Sequence, residues 1–305
     1  GITMEKYKIG IVPMLGDEAV TRMVITSLEE PLMTDLLVPV LYAERNQVEL
    51  LSNRQESDVR YAYVSQADDA HGECVSVVDT ADRTTPGTAE DGTAMTVWTE
   101  DLRRGAIDAL VYVGNTEVDA EKTKCMVCLS ERNCMGLLRR EHLPEDMEQM
   151  MALLERDLDY TKPRIAMVAD TDRQKTEWEA KAEEMGAFVY GPFLTGTFFE
   201  EEQYKDYDLM MALDAKSALR EFREDAHYWS VCMVEDEQQH ITMYPAWNDH
   251  LQEEESVAFN VTSLNHALYC ATDFLRNRKR FLEARKSPLE KLFVEKKDER
   301  RGNIE

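Results

Sequence analysis

Lys162-Pro163-Arg164-Ile165-Ala166-Met167-Val168-Ala169 opens the stretch that decides the fold. A polar segment centred on Trp178 follows, then Ala187-Phe188-Val189-Tyr190 behind Gly186, and, past an acidic run ending at Tyr204, Tyr207-Asp208-Leu209-Met210-Met211-Ala212-Leu213. Short continuous apolar runs read as strands buried on both faces, and the polar segment has the length of a crossover helix. We expect strands at 165–169, 187–190 and 207–213, with a turn at Gly191-Pro192-Phe193. Such a βαβ series gathers its loops at the carboxyl ends of parallel strands, so a ligand site is expected on that edge.

Working outward, residues 7–13 read as the first strand and 17–30 as a helix stopped by Pro31. A second strand at 36–43 contains Pro39, which predicts an edge position or a bulge. Residues 44–56 read as helix, 59–64 and 74–78 as short strands, and 80–93 as a loop rich in Gly, Thr and Asp. A helix over 93–104 ends at Gly105. Residues 108–113 are expected at the centre of a parallel sheet. Another strand covers 124–129, and Pro144 introduces a helix over 145–158. Downstream, 215–223 reads as helix, and 229–234 and 241–244 as strands. Val257, Val261, Leu264, Leu268, Ala271 and Leu275 share one face of a long helix. Ser287-Pro288-Leu289-Glu290 carries the cap, first-turn Pro and Glu of a last short helix.

Composition narrows the function classes. Sixty acidic against 35 basic residues give a formal charge of −25 in a chain of 305 residues. That field repels nucleic acid and anionic membranes, and it disfavours phosphorylated ligands unless a local cationic cluster overcomes it. No apolar run approaches the roughly 20 residues of a membrane helix, and no leader pattern is evident, so a cytoplasmic chain is expected. The six cysteines, Cys74, Cys125, Cys128, Cys134, Cys232 and Cys270, are mostly embedded in apolar runs, as reduced core thiols are.

Several stretches together resemble the 4-hydroxythreonine-4-phosphate dehydrogenase family. They are Leu28-Glu29-Glu30-Pro31-Leu32-Met33, Leu102-Arg103-Arg104-Gly105-Ala106-Ile107-Asp108-Ala109-Leu110-Val111, Lys162-Pro163-Arg164-Ile165-Ala166, Gly191-Pro192-Phe193, Tyr207-Asp208, Asn277-Arg278 and Ser287-Pro288-Leu289. The resemblance implies an α/β fold of two α/β/α lobes, of the isocitrate/isopropylmalate dehydrogenase kind. The larger lobe is expected from residues 1–115 plus 220–305, and the smaller, with dimer contacts, from 116–219. It also implies NAD(P), a divalent metal on three histidines, and a homodimer.

The positions that carry the family's chemistry are mostly changed. His142-Leu143-Pro144 matches the first metal histidine. At the second stands Asp170-Thr171-Asp172-Arg173, and at the third Asp214-Ala215-Lys216-Ser217-Ala218. The family's Gly-His-Thr has no counterpart between Val118 and Lys124. Its Thr-Ala-Pro-Ile-Asn-Lys is replaced by Tyr112-Val113-Gly114-Asn115-Thr116-Glu117, and its Pro-Ala-His-Gly-Thr-Ala by Pro245-Ala246-Trp247-Asn248-Asp249-His250. Met14-Leu15 stands at its Gly-Asp pair. One histidine cannot hold a divalent metal, which needs several converging ligands. The expectation is a catalytically degenerate homologue with no cofactor, acting as a binding or regulatory module. The alternative is a divergent NAD(P)-dependent dehydrogenase whose metal sits on His142, Asp170, Asp172 and Asp214.

Other constellations have plainer readings. Cys125, Cys128, Cys134 and His142 have the composition of a zinc site, but a strand sends residues three apart to opposite faces, so buried thiols are expected. His227, His240, His250 and His266 share no short spacing. Trp229, Trp247 and Tyr244 could line a small-molecule pocket or pack as core. For dimer pairing, the candidate surface is 124–129 and 187–190 with Phe198 and Phe199.

Overall fold

The structure, a computed structural model, describes residues 5–14, 17–55, 58–81, 87–88, 94–114, 125–130, 133–138, 145–148, 150, 163–185, 189–213, 221–222, 230–250 and 252–283. The first half of the chain alternates strands and helices: β1 (Lys8–Pro13), α1 (Glu18–Leu28), α2 (Met33–Leu36), β2 (Val38–Ala43), α3 (Arg45–Arg54), β3 (Tyr61–Val64) and β4 (Val75–Asp79). A small hairpin, β5 (Gly87–Thr88) and β6 (Ala94–Met95), leads into α4 (Val97–Arg103) and β7 (Ala109–Val113). Next come β8 (Cys125–Ser130), β9 (Cys134–Leu138), β10 (Ile165–Ala169), α5 (Asp172–Met185), β11 (Tyr190–Leu194), α6 (Thr195–Glu200) and β12 (Leu209–Leu213). The chain closes with β13 (Ser230–Glu235), β14 (Ile241–Pro245) and the 30-residue α7 (Glu254–Glu283).

Twelve of these strands form one sheet in the order β11-β10-β12-β9-β8-β13-β14-β7-β1-β2-β4-β3. Pairing is parallel outside the centre, and β13 runs antiparallel to both β8 and β14. The fold is thus mixed α/β around one large sheet. No helix among the described residues is long and apolar enough to cross a membrane.

The expected central strand is β7, parallel to β1 on one side and to β14 on the other. Ahead of it, α4 begins in a capping box between Thr96 and Thr99, and it ends with Gly105 at φ 80°. Helix α5 docks through Trp178, which is fully buried against Ile165, Met167 and Ala169 in the core.

Four expectations are corrected. Pro39 lies in an interior strand, not at an edge. Val38 donates its N–H to Tyr7 across the β1 ladder, so alternation turns the Pro39 nitrogen toward β4, where pairing begins only at Val40. Gly191-Pro192-Phe193 is not a turn but lies inside β11, with a cis Gly191-Pro192 bond. Strand β9 was not foreseen. Phe198 and Phe199 are buried in the chain's own core, and β8 is an interior strand whose Val127, Cys128 and Leu129 are buried. That removes most of the expected pairing surface, although Tyr190 is 41% exposed. The predicted helix over 287–290 and most of those over 145–158 and 215–223 lie outside the described residues.

Arg278 of α7 locks the β13–β14 hairpin. Its guanidinium donates to Glu235 Oε2 at 2.8 Å and to the Gln239 carbonyl at 2.6 Å, with Glu235 1% exposed. Arg278→Ala removes the cation from a buried carboxylate and should cost about 3–5 kcal/mol, read by urea unfolding. A loss under about 1 kcal/mol would mean that water reaches Glu235. Phe199→Asp should abolish cooperative unfolding, because it places a charge in the core. Soluble, folded monomers from that variant would return Phe199 to a pairing surface.

Candidate functional site

Side-chain alternation along the strands makes the two faces of the sheet unequal. On one face a single apolar cluster runs from Val77 through Ile11, Val111, Met243, Met233 and Val127 to Met211 and Met167, covered by α1, α5 and α7. The opposite face carries two separate clusters. One joins Trp98 and Leu102 of α4 to Val12, Val40, Tyr42 and Leu110. The other joins Phe198 and Phe199 of α6 to Cys128, Met135, Ala166, Met210 and Cys232. Their boundary falls at β7, β14 and β13, where Tyr112, Thr242 and Tyr244 are partly exposed. Among the described residues we take this boundary as the candidate crevice, beside the carboxyl ends of β7 and β14.

Two tyrosines stand in that crevice. The rings of Tyr112 and Tyr244 stack with centroids 5.5 Å apart, and Trp98 Nε1 donates to the Tyr112 hydroxyl at 3.0 Å. Burial pushes the Tyr112 phenol above its ordinary pKa, against the opposing effect of the Trp98 N–H. Of the readings open for Trp247, core packing holds: it packs against the continuous cluster on the face opposite Tyr244. Trp229 lies outside the described residues.

The rim of the crevice is built by backbone constraints. Gly114 ends β7 at φ 114°, and a Cβ there would lie 2.9 Å from Met14 Cβ, so both conformation and space require glycine. After β14, the fully buried Asn260 of α7 clamps the exit loop. Its Nδ2 donates to the Asn248 carbonyl at 2.9 Å, and its Oδ1 accepts the Asn248 N–H at 2.7 Å. Asn248 Oδ1 in turn accepts the His250 N–H at 3.0 Å, which leaves Asp249 and His250 exposed on the rim.

At the carboxyl end of β10, Asp170 Oδ1 accepts the buried Thr195 hydroxyl at 2.8 Å, and the Asp170 N–H donates to Gln174 Oε1 at 2.8 Å. Asp172 is exposed in the first turn of α5. His142 and Asp214 lie outside the described residues. Among the described residues no three side chains of His, Cys, Asp or Glu come together as a metal site would require.

The cysteines do not make a zinc site either. Cys128 and Cys134 sit on opposite faces, in different clusters. Cys128 is moreover not a free thiol, as sequence suggested, but disulfide-bonded to Cys232, its direct partner across the β8–β13 ladder. Cys74, Cys134 and Cys270 are free. Among the described histidines, His240 bonds Asp236 Oδ2 at 3.1 Å in the β13–β14 turn, and His266 lies on α7. Sequence reading also missed a residue. A Gly-Asp pair does follow β1, at Gly16-Asp17, and Asp17 caps α1 by accepting the Ala19 and Val20 N–H groups.

No protein-family model matches the chain. A curated relative, the 4-hydroxythreonine-4-phosphate dehydrogenase of Bacteroides thetaiotaomicron, is 24% identical over 97% of this chain and 97% of its own. Crystal structures of 4-hydroxythreonine-4-phosphate dehydrogenases from Burkholderia phymatum and Klebsiella pneumoniae each match with a TM-score of 0.55, at 15% and 14% identity. The matches cover 89% and 88% of this chain, and 99% and 98% of theirs. At those identities the structural likeness shows the fold.

The Asp170–Thr195 bond predicts a stability effect. Thr195→Val, close to isosteric, should lower stability by about 1–2 kcal/mol in urea unfolding, since a neighbouring acceptor loses its donor. Mg, Mn or Zn should leave the wild-type Tm unchanged. A metal-dependent rise that Thr195→Val strengthens would show Asp170 open to a cation.

Proposed function

We infer, for a chain that belongs to the 4-hydroxythreonine-4-phosphate dehydrogenase family, a binding or regulatory role in place of oxidative chemistry. The observation that carries this reading is the fate of Asp170. The resemblance puts a metal histidine directly after this strand, and the residue present there holds the start of α6 through Thr195 and the start of α5 through Gln174. A residue whose carboxylate holds α6 and whose backbone N–H holds α5 is a poor start for a metal site. The crevice supports the same reading, because the Tyr112 ring rises where the family's Thr-Ala-Pro-Ile-Asn-Lys segment begins.

The role we propose is that of a cytoplasmic, two-fold homodimer that holds a small molecule without oxidising it. The divergent-dehydrogenase reading would need Asp214 and His142 to complete a site with Asp170, whose Oδ1 already accepts the Thr195 hydroxyl.

Incubated with 4-hydroxythreonine-4-phosphate, NAD or NADP, and Zn, Mg or Mn, the purified protein should form reduced nicotinamide at the no-enzyme rate. Metal-dependent turnover above that background would overturn the reading. His142→Ala should leave metal content and Tm unchanged, whereas loss of a true ligand would cost more in metal affinity than the about 10–100-fold that loss of an outer-shell partner costs. Light scattering across a salt series addresses the dimer, and a monomer mass throughout would refute it.

A further inference from the structure

We propose that Cys128 and Cys232 are a reversible thiol–disulfide couple which, when oxidised, braces the join between the two halves of the sheet. The pair stands directly opposed on antiparallel β8 and β13, with Cα atoms 4.0 Å apart. The six-residue ladder that carries them fixes that distance whatever the redox state, so both thiols remain poised for each other. Both are buried, at 0% and 1% exposure.

The position of the bond gives it a consequence. It spans a sequence separation of 104 residues, and the loop it closes contains β9, β10, α5, β11, α6 and β12. Those are the described elements on the far side of β8. Oxidation therefore ties one half of the sheet into a covalent ring pinned to the β13–β14 hairpin, and reduction leaves the same half held by packing and hydrogen bonds alone. Closing so long a loop removes freedom from the unfolded chain.

Two of the three described free thiols do not compete. Cys134 packs on the opposite face, and burial pushes its thiol up to about 12; Cys270 of α7 is pushed up to about 12 by the same cause. Both stay protonated and inert at neutral pH.

The oxidant is a low-molecular-weight disulfide. One cysteine thiolate attacks a sulfur of that disulfide, forming a mixed disulfide and expelling a small thiolate. The second cysteine thiolate then attacks the protein sulfur of the mixed disulfide, forming the Sγ–Sγ bond and expelling the other small thiolate. The protein pair loses two electrons, the small disulfide gains them, and the two thiol protons pass to the expelled thiolates. Because both sulfurs are buried, exchange follows local opening of the β8–β13 seam. In a reducing compartment the pair rests as thiols and an oxidative challenge closes it.

The test equilibrates the full chain against graded ratios of reduced and oxidised glutathione, alkylates it in denaturant and maps the labels by mass. Cys128 and Cys232 should lose their labels together in a single two-electron transition. The oxidised form should melt about 5 °C or more above the reduced form, and Cys232→Val should abolish that difference. Four results overturn the proposal: both thiols labelled at every ratio, a bond that survives all reductant until the chain unfolds, pairing with another cysteine, or oxidation without a change in Tm. Should Cys232→Val fail to fold, Cys128→Val takes its place, and the labelling transition in the wild type needs no variant. None of these outcomes depends on whether the protein oxidises a substrate.

Discussion

The sheet depends on one hairpin. Strand β14 lies parallel to β7 and extends the first half of the chain, while β13 lies antiparallel to β8 and begins the second. Without β13–β14 the strands would fall into two separate sheets, each with an open edge. The chain supports this hairpin from several directions. Asp236 organises its turn by accepting the Gln238 and His240 N–H groups, α7 lies across both strands, and Arg278 bonds Glu235 and Gln239 at its tip. A buried ion pair is a costly way to gain stability, but at a hairpin tip it fixes register, because a one-residue slip would carry Glu235 away from its cation.

The same join explains why the crevice lies where it does. A helix as long as α7 can bridge the centre of the sheet on one face, so that face has one core. On the other face, among the described residues, the α4 cluster covers the first half as far as β7 and the α6 cluster the second as far as β13, with no described helix spanning both. The gap between them is filled in part by Tyr112 and Tyr244, whose stacked rings offset some of the apolar exposure. Crevice and aromatic pair are thus two results of one arrangement of helices.

Much of this was legible in the sequence, and the failures have physical reasons. The runs at 165–169 and 109–113 announced interior parallel strands because burial on both faces leaves no polar alternation. Strand β9 was hidden by Gly136, which weakens the strand pattern and leaves space that the end of the Met150 side chain fills. Phe198 and Phe199 looked like a surface pair because nothing local shows that α6 folds back over β10. The Cys128–Cys232 pairing was out of reach for the same reason, since it depends on the register of strands distant in sequence. At the candidate site, sequence located Asp170 but not its bond to Thr195, and it left open whether Trp247 joins Tyr244 or packs as core on the opposite face.

Electrostatics bears on what the crevice can receive. Helix N-termini at the carboxyl edge ordinarily attract anions, and α3 and α5 both begin there. Each carries an arginine in its first turn, Arg45 and Arg173, but each arginine pairs with a glutamate one turn on, at 2.9 Å to Glu49 and 3.8 Å to Glu177. Arg45 lies in addition over the Tyr63 ring. These cations are already matched with acids in a chain of formal charge −25, so a phosphate arriving at this edge meets a negative field with little local relief. At these two helix starts an arriving phosphate would compete with Glu49 and Glu177 for the arginines.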